Sequence, residues 1–505
     1  MQIELDALIL NLKVKTIDAG SDVGGTWHWN THPGARVDCP APVYSFNIEE
    51  VWKIWNWSEQ YPAQQELQAY SRHVDCTLSV SKDCIFNSGV ISAKFEASKW
   101  IIQTDNGKTL RAKYFIPAVG FASKQHVPPW KGMKSFRGTI HHSAHWPEEV
   151  DVRGKRVAII GTGSTGVQIV QEWAKEASKT YVFQRTPNLC LPMHQKKLDW
   201  IAQDKMLAET AELFSRCWET SGGLAYEGEC DKALNQLYDE GGFRYWAGAY
   251  MDLLLNSERN RVAYDVWAKR TCERINDPMK RNLLAPLNPP HPFGTKRPSL
   301  EQDYFEQFNK PNVHVIDTNT HPIVEVTPCG LVTTDAKLHE ADIIAIATGF
   351  DASTRSLGSM GICDTDGVNL GERWREGVST FLGLTVPGFP NIFLPYCAQA
   401  PTPFTNGPVF IEFQANFIRD MIKKMQSDGT QAVEPHSAAV QGWRIQMETI
   451  SQMTLFPQTK SWYTGANIPG KPVELLYHYG GIPRYRDACE EAIHRKFHES
   501  FKFHV

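Results

Sequence analysis

Three glycines and a few cations carry the most chemical information in this sequence. Gly161, Gly163 and Gly166 stand at G-x-G-x-x-G spacing directly behind the apolar, β-branched run Arg156 to Ile160, which reads as a buried strand. Val167 to Ala177 then reads as a helix and Lys179 to Gln184 as a second strand. In such a βαβ unit Gly161 makes the tight turn, Gly163 lets backbone N–H groups approach phosphates, and Gly166 lets helix and strand pack closely. The helix N-terminus turns unpaired N–H groups and a partial positive charge towards a diphosphate. An acidic residue normally closes the second strand to bind ribose hydroxyls. Here Gln184, Arg185 and Thr186 offer a guanidinium and a hydroxyl instead, which favours a 2′-phosphate and hence NADPH over NADH. Further on, Pro286 to Pro298 is a proline-stiffened loop presenting Lys296 and Arg297, a reasonable way to hold a cation in a site.

The elements around these residues suggest a second nucleotide module. Asp6 to Leu10 and Lys13 to Asp18 read as strands, and Asp18 at the end of the second is the ribose-binding signal of a dinucleotide fold. Only Asn11 and Leu12 separate the two runs, whereas parallel neighbours need a crossover of about a dozen residues. The glycine loop and helix of this unit are therefore absent: either a segment is missing from this sequence or the diphosphate cradle has been lost. Gly24-Gly25-Thr26-Trp27-His28-Trp29-Asn30 and Pro33-Gly34-Ala35-Arg36-Val37-Asp38 follow as loops with an aromatic pair and a carboxylate. On their own they read equally well as packed loop or as site. Trp52, Trp55, Trp57 and Tyr61 read as core.

Asn106-Gly107 marks a hairpin between Trp100 to Thr104 and Lys108 to Ala112, and the run Tyr114 to Val119 behind it ends on Gly120. The same order recurs in Ile323 to Val326, Leu331 to Thr333 and Ala341 to Ala347, ending on Gly349. The expectation is an α/β protein with two dinucleotide-binding (Rossmann-like) domains, the second inserted in the first: residues 1–134, then 135–325 with a helical insertion at about 195–285, then 326–505. Two further loops, Tyr396 to Gly407 and Ser461 to Gly470, flank a helix predicted over Val409 to Met425.

Composition bounds the rest. A chain of 505 residues has ample core for several domains, and a net charge of −4 implies no general attraction to nucleic acid or anionic membranes. The 11 cysteines are never in C-x-x-C spacing, which argues against a metal site and suits reduced thiols in a cytoplasmic protein. No run reaches the roughly 18–20 apolar residues of a membrane span, and Glu4 and Asp6 replace the basic start of a secretory signal.

With these residues in view, nearly the whole chain resembles the class B flavoprotein monooxygenases of Baeyer–Villiger type. The family fingerprint F-x-G-x-x-x-H-x-x-x-W-P/D is matched by Phe136, Gly138, His142, Trp146 and Pro147, and G-G-x-W-x-x-x-x-[FY]-P-G-x-x-x-D by Gly24, Gly25, Trp27, Pro33, Gly34 and Asp38. His32 replaces the usual aromatic, and Thr31 stands where arginine is common. Gly294 to Pro298, Ala347 to Asp351 and Gly465 to Gly470 also look like family signatures, and the chain resembles the fungal members used in secondary metabolism. The resemblance implies FAD and NADPH as cofactors, with molecular oxygen and a small-molecule ketone as substrates. It makes Arg297 the active-site arginine that stabilises anionic charge beside the flavin, tuned by Asp38. It assigns Lys296, Arg185 and Thr186 to the 2′-phosphate of NADP, lays Thr162, Gly163, Ser164, Thr165, Gly166, Val167 and Gln168 along its diphosphate, and places Arg36 and Val37 beside NADP. Thr26, Trp27, His28, Trp29, Asp38, Cys39 and Tyr44 would line FAD, with Asp18 on its ribose. The family's first G-x-G-x-x-G has no counterpart here, which bears on FAD retention. Two alternatives follow: a flavin-free relative that binds a metabolite or catalyses isomerisation or dehydration, and a heteroatom-oxidising flavin monooxygenase, which the Trp146-Pro147 ending disfavours.

Overall fold

Short strands separated by turn residues dominate the first third of the chain. The computed structural model describes residues 12–224, 233–249 and 252–504. β1 (Thr16–Ile17) pairs in parallel with β2 (Cys84–Ile85). β1 is shorter than the strand expected over Lys13 to Asp18, and the run expected over Asp6 to Leu10 lies outside the described residues. β3 (Val90–Glu96), β4 (Lys99–Thr104) and β5 (Thr109–Ala112) form an antiparallel meander. The β4–β5 turn is at Asn106–Gly107 as expected, with Gly107 at φ 81°, a conformation glycine adopts without strain. Trp100 and Ile102 on the buried face of the meander join Phe115, Leu394 and Phe389 in one core. The expected strand over Tyr114 to Val119 appears as a single parallel bridge from Phe115 to Ile392.

The second module is built as its sequence predicts. β6 (Thr139–His142), β7 (Arg156–Ile160), the helix α1 (Ser164–Glu176), β8 (Lys179–Gln184) and β9 (Val313–Asp317) follow one another around the glycine turn. β10 (Ile323–Thr327), β11 (Gly330–Thr333) and β12 (Leu338–Glu340) make a second meander that feeds β13 (Ile343–Ile346). The parallel sheet has the order β9-β8-β7-β13-β6. Val157 to Ile160 and Ile344 to Ile346 are buried, as strands covered on both faces must be. Val167, Ile169, Val170 and Trp173 of α1 cover one of those faces.

This corrects the expected boundary at 325/326. β13 lies between β7 and β6, with Ile343 registered against both Val157 and Thr139. The meander and β13 therefore belong to the inserted nucleotide module, which runs past residue 346. The hairpin-then-strand pattern at 323–347 repeats the first module's own pattern; it is not that module resuming.

The helical insertion contains α2 (Trp200–Cys217), α3 (Ser257–Cys272) and the short helix Pro278–Leu284. Asp199, Asn256 and Asp277 cap their N-termini through side-chain oxygens, satisfying N–H groups that have no partner within the helix. α4 (Gly407–Ser427) supplies a third core with Phe410, Ile418 and Met421. No described helix is long and apolar enough to cross a membrane.

Candidate active site

Two loops 259 residues apart meet at one buried cation. Arg297 donates from Nε to Asp38 Oδ2 at 2.7 Å and from Nη2 to Asp38 Oδ1 at 2.9 Å, the two-pronged geometry that a guanidinium makes best. Its Nη1 donates to the carbonyl of Pro403 at 3.0 Å, and its Cζ lies 4.8 Å from the centre of the Phe243 ring. Burial works against the charge, but Asp38 more than offsets it and holds Arg297 well above its ordinary value. The loop is pinned on both sides: Tyr463 Oη accepts from the Arg297 backbone N–H at 3.0 Å, and Thr295 Oγ1 meets Thr459 Oγ1 at 2.6 Å. Cys39 Sγ lies 3.7 Å from Nη2, and burial pushes this thiol far up. Tyr44 Oη accepts from Trp27 Nε1 at 3.1 Å, and burial raises that phenol too.

The Asp38 loop is fixed to the nucleotide module. Gly34 sits at φ 73°, and a Cβ there would come within 2.7 Å of the carbonyl of Gln168 in α1, so only glycine permits the approach. Gln168 in turn donates to the carbonyl of Arg36 at 3.0 Å. Arg36 is held by Glu59 Oε2 at 3.0 Å and the carbonyl of Tyr61 at 2.9 Å, so its charge is already matched.

The glycine turn is equally constrained. A Cβ on Gly161, at φ 109°, would lie 2.3 Å from the carbonyl of Ala347, and one on Gly166 would lie 2.1 Å from that of Gly161. Gly163 meets nothing within 4 Å: the space above it is open, and no side chain caps the 13-residue helix that starts there. Thr162 Oγ1 is occupied by the carbonyl of Thr186 at 2.8 Å. Asn188 and Ser299, which no motif flagged, pin the turn: Asn188 Nδ2 donates to Thr162 O at 2.9 Å and to Ser299 Oγ at 2.7 Å, and Ser299 Oγ meets Ser164 Oγ at 2.8 Å.

Lys296 and Arg185 converge nearby. Burial, reinforced by the Arg185 charge, pulls the Lys296 ammonium down to about 8. Neither residue has a carboxylate partner among the described residues, an arrangement suited to a doubly charged anion.

One connected cavity of about 2120 Å³ joins Arg297 to the glycine turn. Asp18, Thr26, Trp27, Trp29, Arg36, Val37, Asp38, Cys39 and Tyr44 face it, as do Thr162 to Thr165, Gln168, Arg185, Thr186, Lys296 and Arg297. His28, Gly166 and Val167 do not. His28 lies against the Asp18–Gly20 turn, Gly166 packs on Gly161, and Val167 is core. No described residue of the helical insertion lines the cavity either. The loop Tyr396 to Gly407 does contribute, through Tyr396, Pro403 and Thr405.

Residues 48–212 match the pyridine nucleotide-disulphide oxidoreductase family model. The FAD-binding monooxygenase acrE of Aspergillus aculeatus is 42% identical over 95% of this chain and 84% of its own length. The cyclopentanone 1,2-monooxygenase of Comamonas sp. is 38% identical over 97% and 91%. The crystal structure of OTEMO in complex with FAD and NADP superimposes with a TM-score of 0.93 at 34% identity, over 99% of this chain and 97% of that one. The chain belongs to the Baeyer–Villiger-type flavin monooxygenases.

In this Baeyer–Villiger-type chain Phe136, Gly138, His142, Trp146 and Pro147 of the first fingerprint hold the frame without lining the cavity. Trp146 packs on Trp173 of α1, ring centres 5.4 Å apart, and meets His32 at 6.4 Å. His142 ends β6, where burial pulls its imidazole down to about 4, and its Nδ1 accepts from the Ala144 N–H at 3.1 Å.

Proposed function

We propose that the protein uses NADPH and FAD to insert one atom of molecular oxygen next to the carbonyl of a small-molecule ketone, giving an ester or lactone and water. The observation that carries this reading is the Arg297–Asp38 pair: a buried guanidinium, fixed by a two-pronged carboxylate, in the same cavity as an uncapped glycine-turn helix. A flavin dinucleotide fits the ring end of the cavity, where Thr26, Trp27, Cys39 and Tyr44 offer an apolar wall beside Arg297. Asp18, whose Oδ1 accepts from the Gly20 N–H at 2.7 Å, would take its ribose. When bound, the flavin supplies the electron transfer and oxygen chemistry that side chains lack.

The chain's own residues then do four things. The N-terminus of α1, with Gly163 left open, receives the diphosphate of NADPH. Lys296, Arg185 and Thr186 hold the 2′-phosphate. Arg297 holds negative charge where it develops on the reacting oxygens, a task suited to a group that stays charged and gives up no proton. Asp38 keeps the guanidinium in place. Phe121 stacks on Trp462 at 5.3 Å and meets Tyr396 at a tilt at 5.6 Å along the cavity, and the three rings favour an apolar ketone. Likeness to acrE supports a setting in secondary metabolism. The test is NADPH consumption with cyclic ketones and with thioethers. Stoichiometric ester or lactone from the ketone is expected; oxidation of the thioether alone would make the protein a heteroatom oxidase.

A further inference from the structure

Asn188 follows β8, and Ser299 closes the loop that carries Lys296 and Arg297. Neither belongs to the glycine turn, yet both join Ser164, the first residue of α1, in an unbroken row of hydrogen bonds. The hydrogens available fix its direction. A side-chain amide nitrogen carries two, and Asn188 gives both away, to Thr162 O at 2.9 Å and to Ser299 Oγ at 2.7 Å. Ser299 Oγ therefore accepts one hydrogen and has one of its own to place. Ser299 is 3% exposed, and among the described residues Ser164 Oγ, at 2.8 Å, is the one acceptor that its hydroxyl meets. The opposite sense, with Ser164 donating, would leave a buried hydroxyl hydrogen unbonded, which costs free energy. Ser299 thus donates to Ser164, and the Ser164 O–H turns elsewhere. Ser164 is exposed and lines the cavity beside the open Gly163, so its hydrogen faces the space into which the uncapped N–H groups of α1 point. Asn188, Ser299 and Ser164 all donate in one sense, and bonds in such a row polarise one another.

The row also reaches the reacting end of the site. The Ser299 N–H donates to Asn188 Oδ1 at 3.4 Å, and its carbonyl accepts from the Leu191 N–H at 2.8 Å. Pro298, with its locked φ, is the sole residue between Ser299 and Arg297. We propose that Asn188 and Ser299 are positioning residues that aim the Ser164 hydroxyl at the diphosphate of NADPH and anchor the Arg297 loop to the same nucleotide. The inference rests on the NADPH-dependent function proposed above. A diphosphate oxygen that receives the Ser164 hydrogen ends the row on a charged acceptor, the stronger kind of hydrogen bond. Lys296 and Ser299 stand on either side of Arg297, so one nucleotide restrains the loop twice: at Lys296 through its 2′-phosphate and at Ser299 through its diphosphate.

The test compares the full chain, supplied with FAD, with Ser164→Ala, Ser299→Ala and the double variant. Calorimetric titration with NADP⁺ and with NAD⁺ reads affinity without turnover. Each single variant is expected to weaken both nucleotides by the same factor, about tenfold, because the diphosphate is common to them. The double variant should be no weaker than the weaker single one, since the two hydroxyls act as one row. Product formed per NADPH consumed should fall at least about twofold in Ser299→Ala, as the guanidinium loses its anchor. Losses that multiply in the double variant would show that Ser299 does not act through Ser164, and overturn the inference. So would a greater loss for NADP⁺ than for NAD⁺, the mark of a loop disturbed at Lys296, or an unchanged product ratio in Ser299→Ala. If the unaltered protein binds NADP⁺ but forms no oxygenated product, the oxygenation reading fails, while the nucleotide affinities still decide the inference.

Discussion

At the scale of single residues, the account turns on cations and what surrounds them. Replacing Arg297 by Ala removes a fixed donor of the kind worth roughly 2.7–4 kcal/mol in a transition state. With flavin saturating, product formation is expected to fall on the order of a hundredfold, while the KM for NADPH changes little. Arg297→Lys should recover little, since a lysine cannot make the two-pronged bond to Asp38. Lys296 predicts a pH effect of definite sign. Its ammonium, pulled down to about 8, is charged and able to hold the 2′-phosphate below that pH and is neutral above it. The KM for NADPH should therefore rise as pH passes 8, that for NADH should not, and Lys296→Arg should abolish the rise. Steady-state kinetics at pH 7 and 9 checks this; a flat profile for NADPH would remove Lys296 from the nucleotide site. How far these residues were legible differs. Arg185 followed from its place at a strand end. The meeting of Arg297 with Asp38 across 259 residues rests on no local pattern, and only the family resemblance anticipated it.

At the scale of elements, the β7–α1–β8 unit was legible almost to the residue. An apolar β-branched run, a glycine turn and an amphipathic helix are all local signals. The same glycines separate into two kinds. Gly163→Ala adds a methyl group in open space at a conformation that any residue adopts, so stability should change by about 0.5 kcal/mol or less while NADPH affinity falls. Gly166→Ala forces a methyl group into the carbonyl of Gly161, so it should destabilise the fold itself. Chemical denaturation beside NADPH titration separates the two, and equal losses of stability would contradict the distinction. Asn188 and Ser299 went unread because single hydrogen-bonding side chains in loops carry no pattern. The place of β13 went unread because a hairpin followed by a buried strand occurs in both modules, and only pairing register tells them apart.

At the scale of the whole molecule, one cavity spans both modules and brings together the uncapped N-terminus of α1 and the fixed guanidinium of Arg297. The fingerprint around His142 and Trp146 ties the loops of one module to α1 of the other, which explains why those residues predict the architecture without touching the cavity. The most direct test of the central claim is to supply the protein with saturating FAD, NADPH, a cyclic ketone and oxygen-18 gas, and to weigh the product. A ring-expanded lactone carrying one labelled oxygen, lost in Arg297→Ala, is the result expected. NADPH consumed with only hydrogen peroxide formed, or a lactone produced equally well without Arg297, would contradict it.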